Sequence, residues 1–160
     1  MKHILSVEVN NTSGVLSHVS GLFTRRGYNI DSLSVGETEK PDRSVITLVV
    51  NEDEEMIRQI EKQLYKLVDV IEVKNLTGEE SLKRELVLLT VKSDQKTRAD
   101  LINLVDVFDA KIVDLTNDAV MIEMSGIPRQ VATFIQIMSE LGILSMARTG
   151  SIALGFPDEA

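Results

Sequence analysis

The sequence predicts an α+β protein built from two successive βαββαβ modules, each with a four-stranded antiparallel sheet and two helices on one face. Segments that alternate apolar and polar residues, as half-buried strands do, are interleaved with segments whose apolar residues recur every three or four positions, as in amphipathic helices. The order strand, helix, strand, strand, helix, strand occurs twice. The 160 residues suffice for two small domains, for which we expect the ranges 1–78 and 79–160.

The first module begins with a strand over residues 4–10, in which Leu5, Val7 and Val9 lie on one side. The loop 11–14 leads into a helix that ends near Arg25-Arg26-Gly27, because cations and a glycine are typical of a helix C-terminus. The apolar positions of this helix are Val15, Leu16, Val19, Leu22 and Phe23.

Two strands, a helix and a last strand complete this module. The strands are expected over residues 29–38 and 44–51, around a turn at 39–42. Acidic residues at 53–55 then mark a helix start, where the helix dipole favours negative charge. The apolar stripe of this helix comprises Ile57, Ile60, Leu64 and Leu67. Residues 70–76 form the last strand, with Ile71 and Val73 on one side.

The second module repeats this order with few identical residues. A strand over 85–92 precedes a helix, and two strands over 111–116 and 119–125 follow it. A second helix begins at Pro128 and ends at Gly142, and residues 143–154 are extended. The apolar positions of the two helices are Leu101, Leu104, Val105, Phe108, Val131, Phe134, Ile135, Met138 and Leu141. Two tandem ferredoxin-like modules are therefore the predicted architecture.

A sheet with both helices on one face leaves its other face bare. In the first module, that face would carry apolar and polar residues from the central strands. They are Ile4, Ser6, Glu8, Val45 and Val49. A half-apolar open face on so small a domain needs a cover, so we expect a homodimer.

The composition excludes several classes of partner and function. The net charge of −8 opposes nucleic acid, because binding needs phosphates neutralised by Lys and Arg. The absence of cysteine excludes thiol catalysis and disulfide scaffolds. No apolar run reaches the ~20 residues of a membrane span, and Glu8 and Asn10 fall where a signal peptide would be apolar. A cytoplasmic protein with no membrane or nucleic-acid partner is expected. An RNA-recognition module, which has the same fold, would carry more aromatic residues than the 4% present here.

A catalytic function has little support in the sequence. The two histidines, His3 and His18, have no carboxylate or thiol at ligand spacing, which predicts surface histidines rather than metal ligands or bases. The acidic run 52–55 is interpreted as a solvated helix start, because consecutive carboxylates do not converge on one ion. No catalytic residue and no metal site is predicted.

The loop after the first strand is the most informative segment. Asn11-Thr12-Ser13-Gly14 leads directly into a helix, whose N-terminus presents unpaired N–H groups. Gly14 allows a ligand to approach the backbone, and the Asn11 amide oxygen can accept a hydrogen bond from an ammonium group. This arrangement suits the head group of an amino acid. The loop alone nevertheless favours a plain Asx turn and helix cap over a ligand site. Asn29 and Ile30 add an amide and an apolar wall, which a second copy of the module would bring to the same site.

Several segments closely resemble one family, the small, regulatory subunits of acetolactate synthase. The strong resemblance covers residues 4–78, which look like the ACT domain of that family, and a more divergent resemblance continues to the end of the chain. The segments are Ile4-Leu5-Ser6-Val7, Asn11-x-x-Gly14-Val15-Leu16, Gly21-Leu22-Phe23, Arg26-Gly27-Tyr28-Asn29-Ile30, residues 59–64 and 66–70, Arg84-Glu85-Leu86, Phe108 and Ala147-Arg148-Thr149-Gly150.

The resemblance implies a noncatalytic subunit that functions in the biosynthesis of valine, isoleucine and leucine. Its partner would be a catalytic large subunit that uses thiamine diphosphate, Mg²⁺ and FAD to condense two 2-oxo acids. The small subunit would bind no cofactor itself, would activate its partner and would confer feedback inhibition by valine or a related amino acid. A stand-alone ACT-domain sensor that acts on another enzyme is the alternative.

The resemblance also implies where the effector binds. Transferred by position, the site consists of residues from one chain together with residues from the other chain of a dimer formed through the ACT domains. They are Asn11, Gly14, Val15 and Leu16 of one chain, and Asn29 and Ile30 of the other. The second module has Ser93-Asp94-Gln95-Lys96 in place of an Asn-x-x-Gly loop, so we expect effector binding in the first module only.

Overall fold

A computed structural model describes residues 1–157, which fold into two compact units. The first unit contains Met1–Leu82 together with the described residues of Ser151–Ala160, and the second contains Lys83–Gly150. Within the described residues, no helix is both long enough and apolar enough to cross a membrane.

The first sheet has four antiparallel strands in the order β2-β3-β1-β4. Its elements follow the predicted order closely. They are β1 (Lys2–Asn10), α1 (Val15–Arg26), β2 (Ile30–Glu37), β3 (Arg43–Asn51), α2 (Glu54–Tyr65) and β4 (Val70–Asn75). The alternation of β1 has the predicted phase, because Leu5, Val7 and Val9 are all buried in the core beneath α1 and α2.

The second sheet has the order β6-β7-β5-β8, and a fifth strand, β9, pairs with β5. Its elements are β5 (Ser81–Lys92), α3 (Arg98–Val107), β6 (Lys111–Leu115), β7 (Ala119–Gly126), α4 (Pro128–Leu141), β8 (Ile143–Arg148) and β9 (Ile152–Gly155). The prediction of four strands in this module was therefore one strand short. Gly150, with φ of 78°, turns the backbone and divides the predicted segment 143–154 into two strands.

The core of the second unit confirms the helical spacing found in the sequence. Leu101 and Val105 of α3 and Val131, Phe134 and Met138 of α4 are buried against β5 and β7. The rings of Phe108 and Phe134 meet edge to face with centroids 5.1 Å apart.

Two residues expected on an apolar face lie elsewhere. Leu16 belongs to the apolar spacing of α1, yet the residue is 43% exposed, whereas the neighbouring Val15 is buried. Ile71 is also exposed, since the β1–β4 register shifts beside it between Glu8 and Val9. This bulge turns Val70 and Val73, rather than Ile71 and Val73, toward the core.

His3 is not the surface residue that the sequence predicted. Its side chain is 4% exposed, and neither ring nitrogen has a hydrogen-bond partner among residues 1–157. The strand begins at Lys2 instead of residue 4, so His3 shares the core-facing side of β1 with Leu5 and Val7. His18 does lie on the surface, with Nδ1 3.6 Å from the Asp69 carboxylate.

The helix-free face of the first sheet is less bare than expected. Ile4 and Val49 are directly opposite in the β1–β3 register, and each is buried. Glu8 on the same face lies 3.8 Å from the Arg43 guanidinium. The open face therefore gives weaker support for self-association than the sequence suggested.

Candidate effector site at the start of the first helix

The loop between β1 and α1 leaves the N-terminus of the helix without a side-chain cap. Gly14 occupies the cap position with φ of 88° and ψ of −5°, in the left-handed region that favours glycine. Its carbonyl accepts the first helical hydrogen bond, from His18 N–H at 3.0 Å. The first turn contains no acidic residue. The Val15 N–H donates to the Thr12 carbonyl at 3.5 Å. The N–H groups of Leu16 and Ser17 are therefore the ones that face a position where an anionic group would be stabilised.

Carboxylates accept backbone N–H groups in two other loops that precede helices. The Asp53 Oδ1 atom accepts a hydrogen bond from Met56 N–H at 2.8 Å at the start of α2. Before α3, the Asp94 Oδ1 atom accepts from the N–H groups of Lys96 and Thr97, both at 2.9 Å. The Thr97 N–H group, with a smaller contribution from Lys96, lowers the pKa of Asp94. The loop after β5 thus contains a carboxylate that accepts backbone N–H groups, whereas the loop after β1 contains none.

Asn11 has a fixed orientation beside this helix start. Its Nδ2 group donates to the Glu37 Oε1 atom and to the Pro41 carbonyl, each at 3.2 Å. Its backbone N–H donates to the Asp42 carbonyl at 2.8 Å. Because both amide protons point at acceptors, Oδ1 is the atom that the side chain offers to a ligand. This is the atom that the sequence analysis assigned to an ammonium group.

The two apolar residues of the predicted half-site have different environments. Val15 is buried and packs in the core of the first unit, so it anchors the adjacent loop to the core. Leu16 is the exposed member of the pair and can contact an aliphatic ligand at the surface.

Asn29 and Ile30 lie at the start of β2. The Asn29 N–H donates to Glu52 Oε1 at 3.2 Å, and its carbonyl accepts from Asn51 N–H at 3.0 Å, so the backbone is fixed while the side chain is exposed. Ile30 is half-buried and packs against the core. These contacts position an exposed amide next to an apolar residue, as the sequence suggested.

A single chain does not bring these two groups of residues together. Asn10 pairs with Arg43 at one end of the sheet, and Lys2 pairs with Asn51 at the other. Asn11 continues from the first end, whereas Asn29 is hydrogen-bonded to Asn51 at the second. The nine residues of β1 separate these ends by roughly 25 Å. One small ligand can therefore contact both groups only if they come from different chains.

The turn between β2 and β3 was predicted, but its contact with Asn11 was not. Glu37, Pro41 and Asp42 all contact Asn11, although Glu37 is 26 residues away in the sequence. The topology offered a signal, because a hairpin between β2 and β3 must return to the C-terminal end of β1. Among the described residues, no group of three His, Asp or Glu side chains could hold a metal ion.

Comparisons with known proteins place both halves of the chain. Residues 5–72 match the AHAS small subunit-like ACT domain, and residues 84–156 match the family described as the small subunit of acetolactate synthase. A protein of Archaeoglobus fulgidus named as a probable acetolactate synthase small subunit is 44% identical over 96% of both chains. An acetolactate synthase small subunit of Bacillus subtilis is 39% identical over 96% of this chain and 90% of its own.

A solved structure agrees with these relatives. The crystal structure of the acetolactate synthase small subunit from Thermotoga maritima superposes with a TM-score of 0.90 and is 36% identical, covering 99% of both chains. The predicted tandem βαββαβ fold is confirmed. The predicted role, a small subunit rather than an enzyme by itself, agrees with the names of these relatives. The chain belongs to the family of acetolactate synthase small subunits.

Proposed function

We propose that this chain is the regulatory subunit of an acetolactate synthase, which activates a catalytic large subunit and makes it sensitive to a branched-chain amino acid. The observation that carries the effector proposal is the uncapped start of α1 beside the outward-facing Asn11 Oδ1 atom. The helix amides suit the carboxylate of an amino acid, and Oδ1 suits its ammonium group. Valine, isoleucine or leucine would fill the remaining space against Leu16.

The complete site would form between the ACT domains of two chains. Asn11, Gly14, Val15 and Leu16 of one chain would bind the effector together with Asn29 and Ile30 of its partner. The roughly 25 Å between these two groups within one chain supports this arrangement. Residues 1–78 would thus bind the effector and form the homodimer. Residues 79–160 would bind no effector in the loop before α3, because the Asp94 carboxylate already accepts hydrogen bonds from the N–H groups of that loop.

Regulation would follow from linkage between the two binding equilibria. The effector must bind the inhibited arrangement of the complex more tightly than the active one, since equal affinity shifts no equilibrium. A coupling free energy of about 1–3 kcal/mol gives roughly 5–150-fold changes in affinity. A ligand bound between two chains can supply this coupling, because it contacts both and depends on how they pack.

The chemistry of the complex would belong to the large subunit. Thiamine diphosphate, Mg²⁺ and FAD would be bound there, and this chain would take part in a cytoplasmic transferase complex without binding a cofactor.

An activity titration tests the proposal directly. Increasing amounts of this chain are added to a matching large subunit with its three cofactors, and condensation of 2-oxo acids is measured with and without each branched-chain amino acid. We expect activity to rise to saturation and at least one of the amino acids to lower it. The chain alone should show no turnover above background.

Three results would contradict the proposal in different ways. If the chain does not activate the large subunit, the proposed regulatory function is wrong and a sensor for another enzyme is favoured. Activation without inhibition by any of the three amino acids would remove the effector site alone. Turnover by the isolated chain would remove the claim that it is noncatalytic.

A further inference from the structure

The Glu37 carboxylate lies directly beside the proposed ammonium site. Glu37 is the last residue of β2, and it alternates with Leu33 and Val35 on the side of the strand that faces the helices. Its Oε1 atom accepts from Asn11 Nδ2 at 3.2 Å. No Lys, Arg or His among residues 1–157 lies within ion-pair distance of this carboxylate, although seven ion pairs occur in that range. Glu37 is therefore a fixed, exposed negative charge without a cationic partner there.

The contact with Asn11 gives Glu37 two effects on a ligand. It holds the Asn11 amide with Oδ1 outward, because rotating the amide by 180° would direct Oδ1 at the Glu37 and Pro41 oxygens. It also brings a negative charge and a second carboxylate oxygen to the Asn11 side chain. The two side chains together form an all-acceptor surface with negative charge.

Such a surface distinguishes an amino acid from the 2-oxo acid with the same side chain. An ammonium group carries a positive charge and three N–H donors, which suit a carboxylate and an amide oxygen. A 2-oxo acid presents a carbonyl oxygen at the same position, with no proton to donate, and its lone pairs would face those of Glu37 and Asn11. Leaving such acceptors unpaired accounts for strong discrimination in polar sites.

From this geometry we infer that Glu37 is a specificity-determining residue of the proposed effector site, one that selects a free α-ammonium group and rejects 2-oxo acids. The inference rests on the proposed function. This selectivity matters for regulation because the catalytic partner would act on 2-oxo acids of related shape. A sensor without it would respond to substrates as well as to the end product.

The test compares two single-charge variants of the full-length chain. Glu37→Gln removes the charge but keeps an oxygen that can accept from Asn11 Nδ2. Glu39→Gln is the matched control, because it removes one carboxylate from the same exposed turn, two residues away. Calorimetry at fixed ionic strength measures the affinity of each protein for valine and for 3-methyl-2-oxobutanoate, the 2-oxo acid with the same side chain.

We expect wild-type protein and Glu39→Gln to bind valine equally and the 2-oxo acid far more weakly. Glu37→Gln should bind valine about tenfold more weakly, since a charge-assisted hydrogen bond is lost, while its affinity for the 2-oxo acid should not fall. An unchanged valine affinity, or an equal loss in both variants, would overturn the inference while leaving the effector site in place. Wild-type protein that binds no branched-chain amino acid would overturn the site and this inference together.

Discussion

At the scale of single residues, Gly14 determines how the chain enters α1. Its φ of 88° lies in the left-handed region, and an added Cβ would meet no other atom within 4 Å. A side chain at this position is therefore disfavoured by backbone conformation and not by steric crowding. The open space leaves room for a side chain to reach the position proposed for the effector's carboxylate.

Replacing Gly14 by Asp should abolish effector binding while the fold survives. The new carboxylate would accept hydrogen bonds from the N–H groups of α1, as Asp53 does at the start of α2. The strain of a non-glycine residue at positive φ should cost roughly 1 kcal/mol, which is small for a residue type that tolerates this region. Calorimetry with valine and an activity titration with the large subunit measure the two effects, and activation should persist.

Gly14→Ala separates charge from strain in this experiment. Its backbone penalty is at least as large as that of Asp and it adds a Cβ, but it has no carboxylate, so we expect it to retain most of the affinity for valine. If the Ala and Asp variants lose affinity equally, the loop conformation matters and the helix amides are not the carboxylate site.

At the scale of elements, the last segment of the family resemblance joins β8 to β5. The Arg148 Nε atom lies 2.7 Å from Glu85 Oε1, and the Glu85 side chain is 4% exposed. One residue further on, Thr149 N–H donates to the Leu86 carbonyl at 3.0 Å, and the Thr149 hydroxyl accepts from Leu86 N–H at 3.1 Å. These contacts bring the segments Arg84-Glu85-Leu86 and Ala147-Arg148-Thr149-Gly150 together in the fold.

Replacing Arg148 by Met should destabilise the second unit more than removing both charges. The single substitution leaves the buried Glu85 carboxylate without a partner, which should lower the free energy of unfolding by about 2–3 kcal/mol. This is less than for a fully buried pair, because the Arg148 side chain is 42% exposed. Adding Glu85→Gln should recover part of the loss. Urea unfolding of both single variants and the double variant measures the coupling, and strictly additive losses would contradict it.

The elements themselves were predictable where burial follows a simple period. The alternation of β1 and the spacing of α2 and α4 identified core residues correctly, because each element buries one continuous face. The exceptions are local events that no period encodes. The bulge beside Ile71 and the turn at Gly150 changed a face and added a strand, and the early start of β1 buried His3.

At the scale of the whole molecule, the candidate site divides into two parts at opposite ends of one sheet. The residue types in each part were visible in the sequence, since Asn11, Gly14 and Asn29 belong to short contiguous motifs. Their separation was not visible, because it depends on β2 starting at the end of the sheet where β3 finishes. The same topology kept Glu37 out of the predicted site, since hairpin geometry rather than sequence distance brings it to Asn11.

A heterodimer of two defective chains should regain one effector site. One chain carries Asn11→Ala and the other Asn29→His, and different affinity tags allow purification of the mixed dimer after co-expression. If each site combines Asn11 of one chain with Asn29 of its partner, one of the two sites contains both substitutions and the other contains neither. Titration with valine should then give about half the wild-type stoichiometry at wild-type affinity.

Homodimers of each variant provide the matched controls, and both should bind valine weakly at every site. Neither substitution should unfold the protein, because the Asn11 and Asn29 side chains are exposed, and thermal melting checks this. A mixed dimer that binds no better than either homodimer would mean that the two residues do not share a site between chains. Wild-type affinity in the Asn29→His homodimer would instead show that the effector needs only the Asn11 end of the sheet, and the site would then lie within one chain.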